Sequence, residues 1–377
     1  MTQAPTPPPP TEDTVRRLAR SLLADAPGKP DGAEARAADG PAVEPVEPVE
    51  TAEEPFPTSW WVGRRYVLRV APDRDTSARR RREMRLRDLV RPHLPVTVPV
   101  CVAHAEWAPG LLCTLDTRVP GGPAGAHEVS ALGEADLAGL LTGLRDVPVR
   151  QAESLGVPQV APRSLEPLRH TAEQAAQHLV AADEFEPGRL HRLALPQASR
   201  LAAQPAAAVL VHHGLGGAPP GGGAPRRGGG GGGGAAPPRG APPPAPPRRP
   251  PPGGAAPAPP APAPPPGGGA PDGRVRGVLG WTDALLGDPA EDIARLSRAV
   301  GSPAAVRAAT LAGYGPRPCL RGLWLARLDS VVRLADGLRG RPGAPLPVLR
   351  DELRNAWEAI LLERVAEPHD EGRGEQD

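Results

Sequence analysis

At 377 residues the chain has room for two lobes around more than one core. It carries 55 Pro and 45 Gly, about twice the usual combined share, only 3% aromatic residues, and a net charge of +1, so no global field advertises nucleic acid. No run of 18 apolar residues offers a membrane span, and the start MTQAPTPPPP lacks the basic and apolar regions of a secretory leader. Cys101, Cys113 and Cys319 are too far apart for a paired framework or a CxxC knuckle, which points to a reducing cytoplasm. Of the 44 basic residues only Lys29 is a lysine.

Residues 1–11 read as a disordered Pro-rich tail. From Thr11 to Ala24, Val15, Leu18, Leu22 and Leu23 recur at helical spacing behind Glu12 and Asp13, which predicts a short amphipathic helix. Residues 25–55 have little apolar content and read as poorly ordered loop. Trp60 to Val70, WWVGRRYVLRV, predicts a hairpin turning at Gly63-Arg64-Arg65. A helix over Ser77 to Val90 follows, then strands over Pro95 to Val102 and Leu111 to Thr117. Beyond Pro120-Gly121-Gly122 the pattern turns helical, with helices over Glu134 to Leu144 and Thr171 to Ala182. Two short strands, Ala206 to Val211 and Val275 to Leu279, are expected to pair, and 290–367 should be helical with breaks near Gly315, Gly340 and Pro345. A tail occupies 368–377.

Residues 216–271 interrupt this order. They hold 21 Pro, 18 Gly, 12 Ala and 5 Arg and nothing else. No side chain there is large and apolar enough to offset the ordering entropy. The segment reads as a flexible insertion or as a stretch decoded in the wrong frame. Five scattered arginines make a thin footprint for a phosphate or RNA tether.

Three groups of residues could carry chemistry. In VLGWTDALLGDPAEDIARL, Asp283 lies past a strand end, where a carboxylate can hold Mg²⁺ against phosphates. Asp288 before Pro289 also reads as a helix N-cap, and Glu291 and Asp292 complement the helix dipole. In VLVHHGL, His212 and His213 end a strand, and no third ligand at a zinc spacing accompanies them. Arg69 on a strand and Glu83 fourteen residues later on a helix would suit the positioning of phosphates, or would be two ordinary surface charges.

In this order the three groups resemble the aminoglycoside phosphotransferase family, whose fold is similar to that of protein kinases. The resemblance is carried by GRVRGVLGWTDALLGDPAEDIARL, by AVLVHHGL and by RRYVLRVAPD. It implies an α+β, protein-kinase-like two-lobed fold, with a small antiparallel-sheet lobe over 12–118 and a larger helical lobe over 119–367. It implies ATP and Mg²⁺ as cofactors, a small-molecule hydroxyl acceptor, and a cytoplasmic monomer with no nucleic-acid or membrane partner. The acceptor would sit on 134–200 and 302–360, where Asp183, Glu184 and Glu186 are candidates for a cationic substrate.

By the resemblance, Arg69 pairs with Glu83 and contacts phosphate, His212 orients the catalytic loop, and Asp288 and Asp292 brace the metal segment. The family's catalytic aspartate falls at Gly214, its metal-binding asparagine at Pro219, and its chelating aspartate at Gly280. Asp283 is the nearest substitute for that last carboxylate. His213 adjoins Gly214, but in an extended run its ring points to the other side. The glycine-containing phosphate loop would fall in ETAEEPFPTS, where glutamates repel phosphate. The expected function is therefore an aminoglycoside-phosphotransferase-like small-molecule kinase, impaired as written. The alternative is an inactive kinase-like binding protein, or the product of a decayed or misframed gene.

Overall fold

The structure is a computed structural model that describes residues 9–25, 43–45, 58–119, 128–189, 201, 208–215 and 272–360. The expected tail 1–8, the phosphate-loop segment up to Pro57, the low-complexity run 216–271 and the stretch beyond Ile360 lie outside the described residues.

Alternation builds the small lobe. In β2 (Ser59–Val62) and β3 (Tyr66–Val70) every second side chain is buried. They pair antiparallel, Trp60 opposite Leu68 and Val62 opposite Tyr66, about a turn that carries Gly63 at φ 56. β1 (Val43–Pro45) adds to the outer side of β2. β5 (Leu111–Thr117) lies on the other side of β3, and β4 (Cys101–Ala108) pairs with β5, for the order β1-β2-β3-β5-β4. Trp60, Leu68, Val70 and Leu115 pack on one face against Val15, Ala19, Leu22 and Leu23 of α1 (Glu12–Asp25). Period two then sends Arg69 to the opposite face, toward α2 (Arg74–Val90). Asp73 caps α2 by accepting the Thr76 N–H at 2.6 Å, and Ser77 Oγ accepts the Leu112 N–H, which fastens the helix to β5.

The larger lobe is helical: α3 (Ala131–Asp146), α4 (Val149–Ser154), α5 (Leu165–Ala181), α6 (Ala290–Val300), α7 (Ser302–Leu311), α8 (Pro316–Leu338) and α9 (Leu346–Ala356). One core gathers Leu140, Leu141, Leu210, Trp281 and Ile293; a second gathers Leu179, Trp324, Leu325 and Leu353. A ribbon of β6 (Val209–Val211) and β7 (Leu285–Gly287) runs through the first. The two-lobed α+β, kinase-like fold is thus present. Among the described residues no helix is long and apolar enough to cross a membrane.

Several expected elements differ. The strand expected over Pro95 to Val102 starts at Cys101, because Pro95 and Pro99 have no N–H for a ladder and leave only an isolated Thr97–Gly277 bridge. Val275 to Leu279 is not a strand. Val275 N–H donates to Asp136 Oδ2 at 3.1 Å instead, and β6 pairs with 285–287. Within 25–55, Asp25 is helical and Val43–Pro45 form a strand, using backbone groups that composition does not reveal. Helix α6 begins at Ala290, so Pro289 holds the N-cap place and Asp288 precedes it. A further break at Gly301 (φ 91) separates α6 from α7.

Candidate active site

The lobes meet at Glu83. Arg69 Nη1 on β3 donates to Glu83 Oε1 at 3.3 Å, and Thr282 Oγ1 from the 281–283 turn donates to Glu83 Oε2 at 2.9 Å. Arg87, one helical turn on, pairs with Asp116 of β5 at 3.0 Å. Glu83 is 2% exposed. Burial alone would raise its pKa, but Arg69, Arg87, the Thr282 hydroxyl and Arg80 outweigh burial and hold it at about 2. Arg82 donates to the carbonyls of Gly156 and Thr282, at 3.2 and 3.0 Å, and binds α2 to the larger lobe a second time.

Beyond β6 the chain turns sharply. Asp292, buried in the first turns of α6, accepts the N–H of His212 at 2.8 Å and of His213 at 2.9 Å. Burial raises the Asp292 pKa to about 6, against the lowering by those two amides. His212 is fully buried. Its ring meets Trp281 edge to face at 4.4 Å, and its Nδ1 accepts the Gly214 N–H at 3.1 Å. Desolvation, then the Arg295 charge, pushes the His212 pKa down to about 3, so the ring is neutral and able to accept.

His213 is not extended. It takes φ 58, and Arg295 of α6 meets its Nε2 at 3.1 Å. Burial and Arg295 lower its pKa to about 4. The ring is neutral and its Nε2 lone pair faces a donor, so His213 has no lone pair left there to act as a base.

Gly214 and Gly280 come together. A Cβ on Gly214 would stand 3.4 Å from the Gly280 carbonyl oxygen and 3.3 Å from His212 Nδ1. Gly280 is left-handed, φ 79 and ψ 49, a conformation that glycine adopts freely and aspartate tolerates. The two positions assigned to reactive carboxylates are thus neighbours beside the buried His212, and neither carries a carboxylate.

Asp283 stands in the turn that Glu83 holds. Burial first, then Glu83, raises its pKa, against Arg295, Arg79 and Arg82. Magnesium takes hard oxygen ligands in near-octahedral array, normally one or two carboxylates with substrate phosphates. Among the described residues no three potential ligands gather. Asp283 shares its surroundings with Arg295, Arg79 and Arg82, whose charges oppose a cation, the nearby Glu83 is held by Arg69 and Thr282, and Pro219 lies outside the described residues. The described residues do not fit a magnesium ion.

Asp288 and Asp292 are both structural in their contacts. Asp288 accepts from Arg321 Nε at 2.6 Å and from the Ala290 N–H at 3.0 Å. Asp183, Glu184 and Glu186 line a pocket of about 450 Å³ with Phe185 and Leu353, but Arg350 pairs with Glu184 at 2.9 Å and Arg189 with Glu186 at 3.0 Å. Sequence reasoning missed Thr282, Asp116 and Arg295. Thr282 follows Trp281 directly, yet nothing in its surroundings announces a partner 199 residues away.

With this geometry in place, the comparisons with known proteins are specific. The chain matches the phosphotransferase enzyme family over residues 57–215 and 271–324, more than half its length, and it belongs to that family. The match stops and resumes at the edges of the low-complexity run. Among solved structures, the GDP complex of wild-type aminoglycoside 2'-phosphotransferase-IIIa is similar at 17% identity and a TM-score of 0.50, over 84% of this chain and 93% of that one, which shows a shared fold. The apoenzyme of a macrolide 2'-phosphotransferase from Brachybacterium faecium is 18% identical, over 92% of this chain and 99% of that one, with a TM-score of 0.46. No curated protein sequence matches the chain.

Proposed function

We propose that the chain is a small-molecule kinase scaffold whose reaction, transfer of the ATP γ-phosphoryl to a hydroxyl, is strongly impaired. Family membership supports the reaction class. The observation that carries the impairment is the Gly214–Gly280 contact. The Asp292 grip, the neutral His212 and the Arg69–Glu83–Thr282 link support this reading, because they surround a position where the family resemblance calls for a carboxylate to take or orient the hydroxyl proton and the chain has glycine. Positioned proton transfer contributes roughly 10²–10⁴-fold, so activity should lie at least about 100-fold below that of an intact family member. Acceptors to test include aminoglycosides and macrolides, which the names of similar structures carry, and choline-like alcohols and sugars.

The test is ATP turnover by the full chain against that panel, before and after Gly214→Asp. The single change should not restore full activity, because position 280 still lacks a carboxylate. Replacing 214–271 by a loop of about 18 residues, with Asp first and Asn five places later, should restore part of it. Adding Gly280→Asp should raise it further. Wild-type turnover at a normal rate would overturn the assignment of Gly214. The same contact favours a second reading, a nucleotide-binding module without catalysis. Reading the DNA for 212–283 in all three frames separates both from a misframed gene, since an alternative frame would encode the lost loop.

A further inference from the structure

Among the described residues no carboxylate forms an ion pair with Arg295, although Asp292 and Asp329 lie close enough to act on its charge. Arg295 lies one helical turn beyond Asp292, and its hydrogen-bonding partner is the neutral His213. The acids around it are already engaged. Asp292 spends both oxygens on the His212 and His213 amides. Asp329 is forked by Arg163 at 2.8 and 2.9 Å, and Arg163 also holds Glu291. Glu352 takes Arg298 at 3.2 Å and Arg333 at 2.8 Å. Burial and the Arg298 charge push the Arg295 pKa down to about 10, a mark of an under-compensated guanidinium.

Two more such groups stand on α2. Among the described residues Arg82 donates to two carbonyls, those of Gly156 and Thr282. Arg79 donates to Thr76 Oγ1 at 3.1 Å and leaves a buried Nε without a partner. These three guanidiniums share the neighbourhood of Asp283; the other carboxylate that bears on it, Glu83, is already held by Arg69 and the Thr282 hydroxyl. A magnesium site offers one or two carboxylates beside the substrate phosphates, free of competing cations. Here two carboxylate positions are glycine and the surplus charge is positive, the arrangement that attracts phosphate oxygens.

We infer that this cleft binds the phosphate chain of a nucleotide without a divalent cation, with Arg295 supplying charge beside the Gly214–Gly280 gap and Arg79 and Arg82 supplying it from α2. The inference rests on the nucleotide reading of the proposed function and replaces the metal in it.

The experiment is calorimetric titration of the full chain with ADP in EDTA and with ADP in Mg²⁺. Pyrophosphate alone and adenosine alone, both in EDTA, separate the phosphate from the nucleoside. ADP should bind in EDTA at least as tightly as in Mg²⁺. Arg295→Gln should weaken the EDTA binding by about tenfold or more, the loss typical of a charge-assisted hydrogen bond. Gly280→Asp should weaken EDTA binding and make Mg²⁺ favourable. It provides the decisive arm if Arg295→Gln does not fold. Wild-type binding of ADP in Mg²⁺ alone would overturn the inference and leave the nucleotide reading standing. So would a folded Arg295→Gln that binds like wild type in EDTA. Pyrophosphate binding as tightly as ADP in EDTA, with adenosine not binding, would uphold the phosphate site and overturn the nucleotide reading. No binding of any probe to the folded chain would overturn both.

Discussion

Glu83 and Asp292 are two carboxylates buried to the same 2% exposure on either side of one cleft, and their pKa values move in opposite directions. Glu83 faces Arg69, Arg87 and a hydroxyl, and stays ionised down to about pH 2. Asp292 faces backbone amides, and burial carries it up to about 6. The difference lies in the partners. The α2 side is an ion network that needs its charge. The β6 side is a hydrogen-bond cradle that needs two acceptor oxygens and gains less from the charge. The Asp292 acceptors hold the turn of His212 and His213 that leads into Gly214.

The largest expected effect tests the ionic side. Glu83→Gln leaves Arg69 and Arg87 short of a buried counter-charge and weakens the link to Thr282. Breaking a buried pair from one side costs about 3–5 kcal/mol. Urea unfolding should show a midpoint lowered accordingly with an unchanged slope. A loss below about 1 kcal/mol would mean that Asp116 and solvent carry those arginines by themselves.

The pH dependence sharpens the comparison because the signs oppose. Glu83 has a folded pKa of about 2 against an ordinary 4.5. The unfolded chain therefore binds more protons between these values, and Glu83's contribution is full above about 4.5 and lost as pH falls toward 2. It amounts to about 3 kcal/mol by linkage. Asp292 has a folded pKa of about 6 against 3.8. There the folded chain binds more protons, and stability falls as pH rises from 4 to 6, again by about 3 kcal/mol. The deficit of Glu83→Gln should thus grow from pH 2 to 4.5, and that of Asp292→Asn should shrink from pH 4 to 6. Parallel trends in the two variants would end the contrast.

How far the sequence speaks follows the same division. The small lobe was legible because period two in YVLRV fixes which face Arg69 takes, and helical spacing then brings Glu83 opposite. Local pattern and long-range contact agree there. Around the β6–β7 ribbon they do not. Val275 to Leu279 has the apolar character of a strand, but Asp136, 139 residues away, takes the Val275 N–H, and pairing passes to Leu285–Gly287. The local rules of helix starts put the N-cap at Asp288, one residue before Pro289, which holds that place, and the bracing role of Asp288 and Asp292 came from the family resemblance rather than from local pattern. Arg295 was not legible. Its meaning depends on His213 at a separation of 82 residues and on Asp292, Asp329, Glu291 and Glu352 being already engaged.

The smallest effect concerns the helix that presents Glu83. Asp73 Oδ1 accepts the Thr76 N–H, while its backbone carbonyl accepts from Ser77 Oγ. Asp73→Ala removes only the first bond and a favourable charge at the helix start, which costs typically about 1 kcal/mol. The carbonyl bond survives, as does the hold of Ser77 on β5, so the helix frays by a turn without leaving the sheet. Glu83 lies two and a half turns further on and should keep its depressed pKa. The check is double. Chemical unfolding should show the loss of about 1 kcal/mol, and the pH 2 to 4.5 slope should match wild type. A flattened slope would mean that the cap, rather than the arginines, sets the position of Glu83, and the ionic side of the cleft would then depend on local helix structure more than on charge.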